Sequence, residues 1–164
     1  MGSTGNKIKL ENNRKMNFIK LTPNIEYFKS TIEKFFVDNK EDYSFFSPHE
    51  YSYEGLLKEI TSKPQDYFVF LMDGENIAGY GLLRGWSEGY DIPSLGIIID
   101  VNYRGKNLSR MIMEHLHLIS INRGAKKVRL RVYKQNYKAI SLYNKLGYEL
   151  TDFDENTLVG FKTL

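Results

Sequence analysis

The chain has 164 residues, of which 41% are hydrophobic and 26% charged, and its formal net charge is +3. These values are ordinary for a globular protein with a sizeable core, and so mild a positive charge argues against nucleic acid as a partner. The absence of cysteine excludes disulfides, thiolate metal sites and cysteine nucleophiles; it is compatible with a reducing compartment, and we expect a cytoplasmic protein.

The N-terminal 15 residues are polar and lack the apolar centre of a signal peptide. We therefore predict that residues 1–15 are a leader or a flexible arm and that residues 16–164 form a single domain. No apolar run approaches the roughly 20 residues that span a bilayer, so no membrane partner is expected. His115 and His117 are two positions apart on a predicted helix and point to different faces, so no metal is expected.

The first half of this domain is predicted to hold a strand, two helices separated by an aromatic loop, and a β-hairpin. Ser52 is predicted to cap the second helix, Pro64 to end it, and Asp73-Gly74 has the composition of a hairpin turn. The predicted bounds are strand 16–21, helix 22–39, loop 40–51, helix 53–63, strand 67–72 and strand 77–84.

The stretch from Ser94 to Ile112 is the most informative part of the chain. An apolar run at 95–99 predicts a buried strand, and a polar turn with Arg104 and Gly105 follows it. The period then becomes helical, with a predicted inner face of Leu108, Met111, Ile112, Leu116 and Ile119. Backbone N–H groups at a helix start have no partner within the helix, and the helix dipole favours negative charge there. The pattern therefore predicts a phosphate-bearing ligand.

The last elements are an alternating strand at 127–133, a short helix that Asn136 caps and Gly147 ends, and two strands at 148–151 and 157–161. Taken together, the elements predict an α+β fold with three layers. A mixed central sheet of seven strands is flanked by four helices. The basic side chains of the alternating strand are expected to form a solvated face rather than a nucleic-acid site.

Two motifs lie on these elements. The first is Tyr103-Arg104-Gly105, with Asn107 and Ser109 after it, in the turn before the third helix. The second combines Asn136, Ala139, Leu142, Tyr143, Gly147 and Tyr148. Element order and motifs together resemble the GNAT superfamily of N-acetyltransferases, over roughly Met16 to the C-terminus. In that family glycine is usual where Asn107 stands, and glycine or alanine where Ser109 stands.

The resemblance implies that acetyl-CoA is the cosubstrate and that its acetyl group moves to a primary amine by direct attack in a ternary complex. The fourth strand is expected to diverge from the fifth and to bind the pantetheine arm, while the turn's N–H groups hold the pyrophosphate. The implied cofactor-binding residues are Ile97, Ile98, Ile99, Val101, Arg104, Gly105, Lys106, Asn107, Leu108, Ser109, Arg110, Asn136 and Tyr143.

The resemblance assigns Tyr143 as the general acid for the departing thiolate, because a phenol with a pKa near 10 is protonated at neutral pH. No motif fixes the general base. Glu88 and Asp91, in the loop before the fourth strand, and His49, in the aromatic loop, are the candidates.

The acceptor is expected between the first helices and loop 85–92, with aromatic walls from Tyr43, Phe45, Phe46, Trp86 and Tyr90. The stretch 83–97 is similar to acetyltransferases of bacterial surface-polysaccharide clusters, which favours an amino sugar or another small amine. A protein N-terminus or lysine is an alternative acceptor. A non-catalytic acyl-CoA-binding module is an alternative of a different class, motivated by Asn107 and Ser109. We expect a monomer or a homodimer.

Overall fold

The structure is a computed structural model that describes residues 16–164, and the predicted leader or arm lies outside this range. Seven strands and four helices follow one another in the predicted order. The strands are β1 Met16–Lys20, β2 Tyr67–Asp73, β3 Asn76–Arg84, β4 Ser94–Ile99, β5 Lys127–Tyr133, β6 Glu149–Asp152 and β7 Thr157–Thr163. The helices are α1 Lys29–Asp38, α2 Tyr53–Ser62, α3 Leu108–Asn122 and α4 Tyr137–Lys145, with short 3-10 turns at Glu26–Phe28, Lys40–Ser44, Trp86–Glu88 and Val101–Tyr103.

All seven strands belong to one sheet, in the order β1-β2-β3-β4-β5-β7-β6. Every neighbouring pair is antiparallel except β4 and β5, which are parallel. The predicted α+β class with a mixed seven-stranded sheet and four flanking helices is therefore confirmed. Within residues 16–164, no helix combines the length and the apolar character needed to cross a bilayer.

Apolar side chains on the two faces of the sheet form two cores. Phe36, Phe70 and Tyr80 belong to the core beneath α1 and α2. Leu95 and Ile112 belong to the core beneath α3 and α4. The helices form because their apolar residues recur at helical spacing, and burial of that face stabilises them against the sheet.

Helix α3 packs unusually close to β3. Gly79 and Gly81 provide the space, because a Cβ atom at these positions would lie 2.5 and 2.7 Å from side-chain atoms of Ile112. The predicted inner face was wrong at Met111, whose side chain is exposed, while Met113 is fully buried. The buried face is centred near Leu116, and Met111 lies more than a right angle away from it at about 100° per residue.

The predicted N-caps of α2 and α4 and the predicted glycine at the end of α4 are confirmed. The Gly55 N–H donates to Ser52 Oγ at 2.9 Å, and the Ala139 N–H donates to Asn136 Oδ1 at 3.3 Å. Gly147 has φ +86°, the left-handed conformation that ends a helix and that glycine adopts without strain.

Strands β4 and β5 separate soon after they meet. Their parallel register contains one pair, Ser94 and Arg129, where the Arg129 N–H donates to the Pro93 carbonyl oxygen at 3.0 Å. Beyond that pair the two strands share no ladder, although β4 stays fully paired with β3 and β5 with β7. The sheet therefore opens in its middle, next to the turn that leads into α3.

Burial of His117 gives the protein a predictable sensitivity to acid. Its Nε2 lies 2.7 Å from the Tyr148 hydroxyl, and burial lowers the pKa of His117 to about 4. In the unfolded chain the pKa is near 6.5, so between these values only the unfolded state binds the proton. The contribution of neutral His117 to the free energy of unfolding is therefore fully present above pH 6.5 and is lost as the pH falls toward 4.

We expect His117→Gln to make the free energy of unfolding less dependent on pH below 6.5. Between pH 7 and pH 5, the free energy of unfolding should fall by about 1–2 kcal/mol more in the wild type than in the variant. Urea unfolding at the two pH values measures the difference. Equal losses in both proteins would contradict the assignment.

Candidate functional site

A groove of about 600 Å³ occupies the opening between β4 and β5. The diverging strands β4 and β5 form its two sides. The turn before α3 closes one end, and residues of α4 complete the wall. Its lining includes ten of the thirteen predicted cofactor-binding residues, namely Ile97, Ile98, Ile99, Arg104, Gly105, Asn107, Leu108, Ser109, Asn136 and Tyr143.

The backbone of β4 turns hydrogen-bonding groups into this groove. Asp100 donates its N–H to the Ala78 carbonyl at 3.0 Å, which fixes the alternation of the antiparallel ladder. Ile98 therefore directs its N–H and carbonyl toward β3, whereas Ile97 and Ile99 direct theirs toward β5. Since β5 has diverged at this level, the backbone groups of Ile97 and Ile99 face the groove.

The turn before α3 has the conformation of an anion-binding loop. Gly105 has φ +77° and Asn107 has φ +59°, and Asn107 is the only non-glycine residue with positive φ among residues 16–164. Asparagine is among the residues that tolerate this conformation best, which explains its place where the family has glycine.

Free donors converge at this turn. Within residues 16–164, no acceptor binds the backbone N–H groups from Gly105 to Arg110, and the first helical bond is donated by Met111 to the Asn107 carbonyl. These N–H groups and the positive end of the α3 dipole can hold an anion.

A buried asparagine that sequence reasoning missed holds the start of this turn. Asn39 donates through Nδ2 to Asp100 Oδ2 at 2.8 Å and accepts from the Val101 N–H at 2.9 Å. Tyr103 donates to Asp73 Oδ2 at 2.8 Å. Asn39 follows α1 directly and is 2% exposed, a burial that its position at a helix end did not suggest.

Three predicted cofactor-binding residues lie outside the groove lining. Val101 is exposed, with its N–H bound to Asn39, and Arg110 pairs with Glu114 one helical turn later. The Lys106 ammonium lies over the Tyr103 ring, 5.2 Å from its centroid. Arg104 does line the groove, and it donates to Asp42 Oδ2 at 2.5 Å and to the Ile99 carbonyl at 3.3 Å.

Tyr143 on α4 presents its hydroxyl to the groove. The side chain is 8% exposed, its ring packs 5.8 Å from the ring of Tyr148, and no residue in 16–164 forms a hydrogen bond with its hydroxyl. Burial raises the pKa of Tyr143 to about 12. The phenol is therefore protonated at neutral pH, and its proton is available to a group in the groove.

A second cavity of about 340 Å³ adjoins the groove on the α1/α2 side of the sheet. The two spaces share Phe45, Phe46, Leu95, Arg131, Val132 and Tyr133. Phe46 lies against β4 so closely that a Cβ atom at Gly96 would be 2.3 Å from its ring. Phe45 packs edge-on against Tyr133, with ring centroids 5.6 Å apart, and bridges the aromatic loop to β5.

The predicted aromatic acceptor walls are only partly brought together. Phe45 and Phe46 line both spaces, and Tyr43 packs edge-on against Tyr51 with centroids 4.9 Å apart. Trp86 and Tyr90 line a separate, shallow surface pocket, where the Arg123 guanidinium lies 4.4 Å from the Trp86 ring centroid.

None of the predicted bases lines the groove or the second cavity. Glu88 lies 3.4 Å from Lys63 Nζ, and Asp91 lines the pocket of Trp86 and Tyr90. His49 has both ring nitrogens engaged, with Nε2 2.9 Å from the Tyr80 hydroxyl and Nδ1 2.7 Å from the Glu50 carbonyl oxygen. Burial lowers the pKa of His49, so this ring is neutral near pH 7.

Because Glu88 is half exposed and outside both spaces, we expect Glu88→Gln to leave kcat/KM within about twofold of the wild type. Steady-state kinetics with the acceptor measures the ratio. A loss of 100-fold or more, at unchanged thermal stability, would make Glu88 the base after all.

No group of three or more His, Cys, Asp or Glu side chains suited to a metal ion occurs in the described part of the chain. The lining of the groove includes backbone donors, the protonated phenol of Tyr143 and the side chains of Arg104 and Arg131.

Comparison with known proteins agrees with this geometry. A model of the acetyltransferase (GNAT) family matches residues 32–148. An acetyltransferase of Sodalis glossinidius is 27% identical over 97 residues, which are 59% of this chain and 66% of that protein. A thialysine N-epsilon-acetyltransferase of Bos taurus is 29% identical over 99 residues, which are 58% of this chain and 55% of that protein. The chain thus spans less than two thirds of the length of these relatives.

Solved structures share the fold across nearly the whole chain. The PaiA N-acetyltransferase of Thermoplasma acidophilum, in complex with coenzyme A, has a TM-score of 0.73 at 21% identity and covers 92% of this chain and 99% of that one. The spermidine N-acetyltransferase of Vibrio cholerae, in complex with coenzyme A and spermine, has a TM-score of 0.73 at 18% identity and covers 92% and 96%. At these identities the likeness shows the fold alone.

Proposed function

The chain belongs to the acetyltransferase (GNAT) family, and we propose that it transfers the acetyl group of acetyl-CoA to a primary amine by direct attack in a ternary complex. The observation that carries this proposal is the convergence of three features on one groove. These are the diverging β4 backbone, the unbonded N–H groups at the start of α3 and the hydroxyl of Tyr143, which faces the groove.

The residues of the groove fit coenzyme A. Pyrophosphate needs several converging donors, and the N–H groups of residues 105–110 supply them at a helix N-terminus. The groove-facing N–H groups of Ile97 and Ile99 and the carbonyl of Ile97 suit the amide-rich pantetheine arm, while the Ile99 carbonyl accepts from Arg104. When bound, acetyl-CoA supplies an activated thioester, and the chain supplies orientation, donors and a proton.

The β4 backbone and Tyr143 have different roles in the proposed reaction. A backbone N–H directed at the groove, that of Ile97 or Ile99, polarises the acetyl carbonyl and stabilises negative charge on its oxygen. The Tyr143 hydroxyl donates its proton to the leaving sulfur. Its pKa of about 12 keeps that proton in place until the thiolate forms.

The second cavity is the proposed acceptor site. It meets the groove at Phe46 and Leu95, so an amine placed there reaches the groove from the sheet face opposite α3 and α4. A volume of about 340 Å³ suits a small molecule, which favours an amino sugar or another small amine over a protein N-terminus or lysine.

Two measurements separate the alternatives. Release of the coenzyme A thiol that depends on a small amine or an amino sugar supports the proposal, and release only with peptides would instead identify a protein acetyltransferase. Tight binding of acetyl-CoA by calorimetry, without turnover on either panel, would favour the non-catalytic acyl-CoA-binding module.

A further inference from the structure

The second cavity is lined by an arginine that forms no ion pair within residues 16–164. Arg84 ends β3 and lines this cavity, where one terminal nitrogen donates to the Pro48 carbonyl at 3.3 Å. Its Nε is buried and has no hydrogen-bond partner. No carboxylate in residues 16–164 lies within ion-pair distance of Arg84.

The other arginine of the cavity is already paired. Arg131 donates to Asp154 Oδ2 at 2.5 Å and to Thr157 Oγ1 at 3.1 Å. Asp154 also accepts from the Thr157 hydroxyl and from the N–H groups of Asn156 and Thr157, so it is held as a carboxylate. The charges of Arg131 and Asp154 cancel each other. The lining of the cavity therefore has a net positive charge, which is that of Arg84.

Arg129 also has a buried Nε without a partner, but it lines neither space, whereas Arg84 forms part of the wall of the second cavity. A cavity-lining guanidinium with no acidic partner is arranged for an anionic ligand. Carboxylate and phosphate oxygens accept two parallel hydrogen bonds from a guanidinium, and such charge-assisted pairs are among the strongest polar contacts. The same charge repels a ligand that carries only ammonium groups.

We propose that the acceptor is a small amine that also carries an acidic group, a carboxylate or a phosphate, and that Arg84 binds this group while the amine reaches the groove. This rests on the proposed function. As the nitrogen–carbon bond to the acetyl group forms, the carbon–sulfur bond breaks. The sulfur takes the Tyr143 proton, the nitrogen releases one proton to water, and water restores the proton of Tyr143.

Binding can be tested without turnover. Calorimetry in the presence of coenzyme A would use glycine, β-alanine, γ-aminobutyrate and δ-aminovalerate, each against its primary amide, and phosphoethanolamine against ethanolamine. We expect at least one acid to bind about tenfold or more tightly than its uncharged partner, with the chain length reporting the distance to Arg84. The carboxylate and phosphate arms distinguish the two sources of negative charge.

Kinetics assigns the preference to the residue. Arg84→Gln should raise KM for the preferred acid about tenfold or more and leave KM for the uncharged partner and kcat nearly unchanged. Arg129→Gln is the matched control. Ser94 of β4 pairs with Arg84 on one side and with Arg129 on the other, but Arg129 lines neither space. Thermal unfolding of both variants checks that each is folded.

Three results would overturn the inference. These are equal or weaker binding of every acid, a stronger preference for spermidine, or a preference that Arg84→Gln leaves intact. Absence of thiol release with every amine would refute the proposed acetyl transfer instead, while the binding preference for acids would still decide the role of Arg84.

Discussion

Replacing Tyr143 with phenylalanine is expected to lower kcat about 100-fold and to leave the Kd of coenzyme A nearly unchanged. The substitution removes the hydroxyl that faces the groove and keeps the ring that packs against Tyr148. Without this proton donor the sulfur leaves as a free thiolate. Rapid-quench measurement of the transfer step, beside calorimetry with coenzyme A, separates the two effects.

Tyr137→Phe is the matched control for Tyr143→Phe. Tyr137 begins the same helix but is 77% exposed, so loss of its hydroxyl should change neither kcat nor Kd. An unchanged kcat in Tyr143→Phe would remove Tyr143 as the acid. An equal loss in both variants would indicate a general effect on α4.

Gly105→Val should weaken coenzyme A binding about 10- to 100-fold, the second large effect that the structure predicts. Gly105 has φ +77°, a conformation in which a β-branched side chain is strained. A Cβ atom there meets nothing within 4 Å, so the cost arises from the backbone rather than from a clash. Relief of this strain turns the loop N–H groups away from the pyrophosphate.

Two further variants separate loss of the site from loss of stability. Gly89 has a similar φ of +86°, also with open space around it, and lies outside the groove, so Gly89→Val reports the backbone strain alone. Asn107→Gly replaces the non-glycine residue that has positive φ in this turn, and it should bind coenzyme A at least as well as the wild type. Calorimetry on all three variants tests the loop, and full affinity in Gly105→Val would show that the pyrophosphate binds elsewhere.

Local signals predicted the elements well, because they act within a few residues. Ser52 and Asn136 cap the helices that they were expected to cap, and β5 has the predicted bounds and alternation. The turn at Gly105 was identified from the change of period and then from the family motif. The divergence of β4 from β5 came from the resemblance alone, since strand order depends on contacts far apart in sequence.

The acceptor side was harder to predict for the same reason. Its place before β4 made Glu88 a candidate base, but Glu88 ends a 3-10 turn and lies 3.4 Å from Lys63 Nζ at the end of α2. Arg84 gave no local signal, because a single arginine at a strand end is usually solvated. The proposed role of Arg84 rests on its contact with the Pro48 carbonyl and on the absence of an ion-paired carboxylate among the described residues. Both features depend on residues far away in the sequence.

Transfer of an isotopically labelled acetyl group tests the central claim most directly. Acetyl-CoA labelled in the acetyl group is mixed with the protein and a small primary amine, and mass spectrometry follows the label while a thiol reagent follows free coenzyme A. We predict that the label appears on the amine nitrogen in step with thiol release, and that omission of the amine stops both. Label that stays on coenzyme A, or appears only as acetate, would contradict the account.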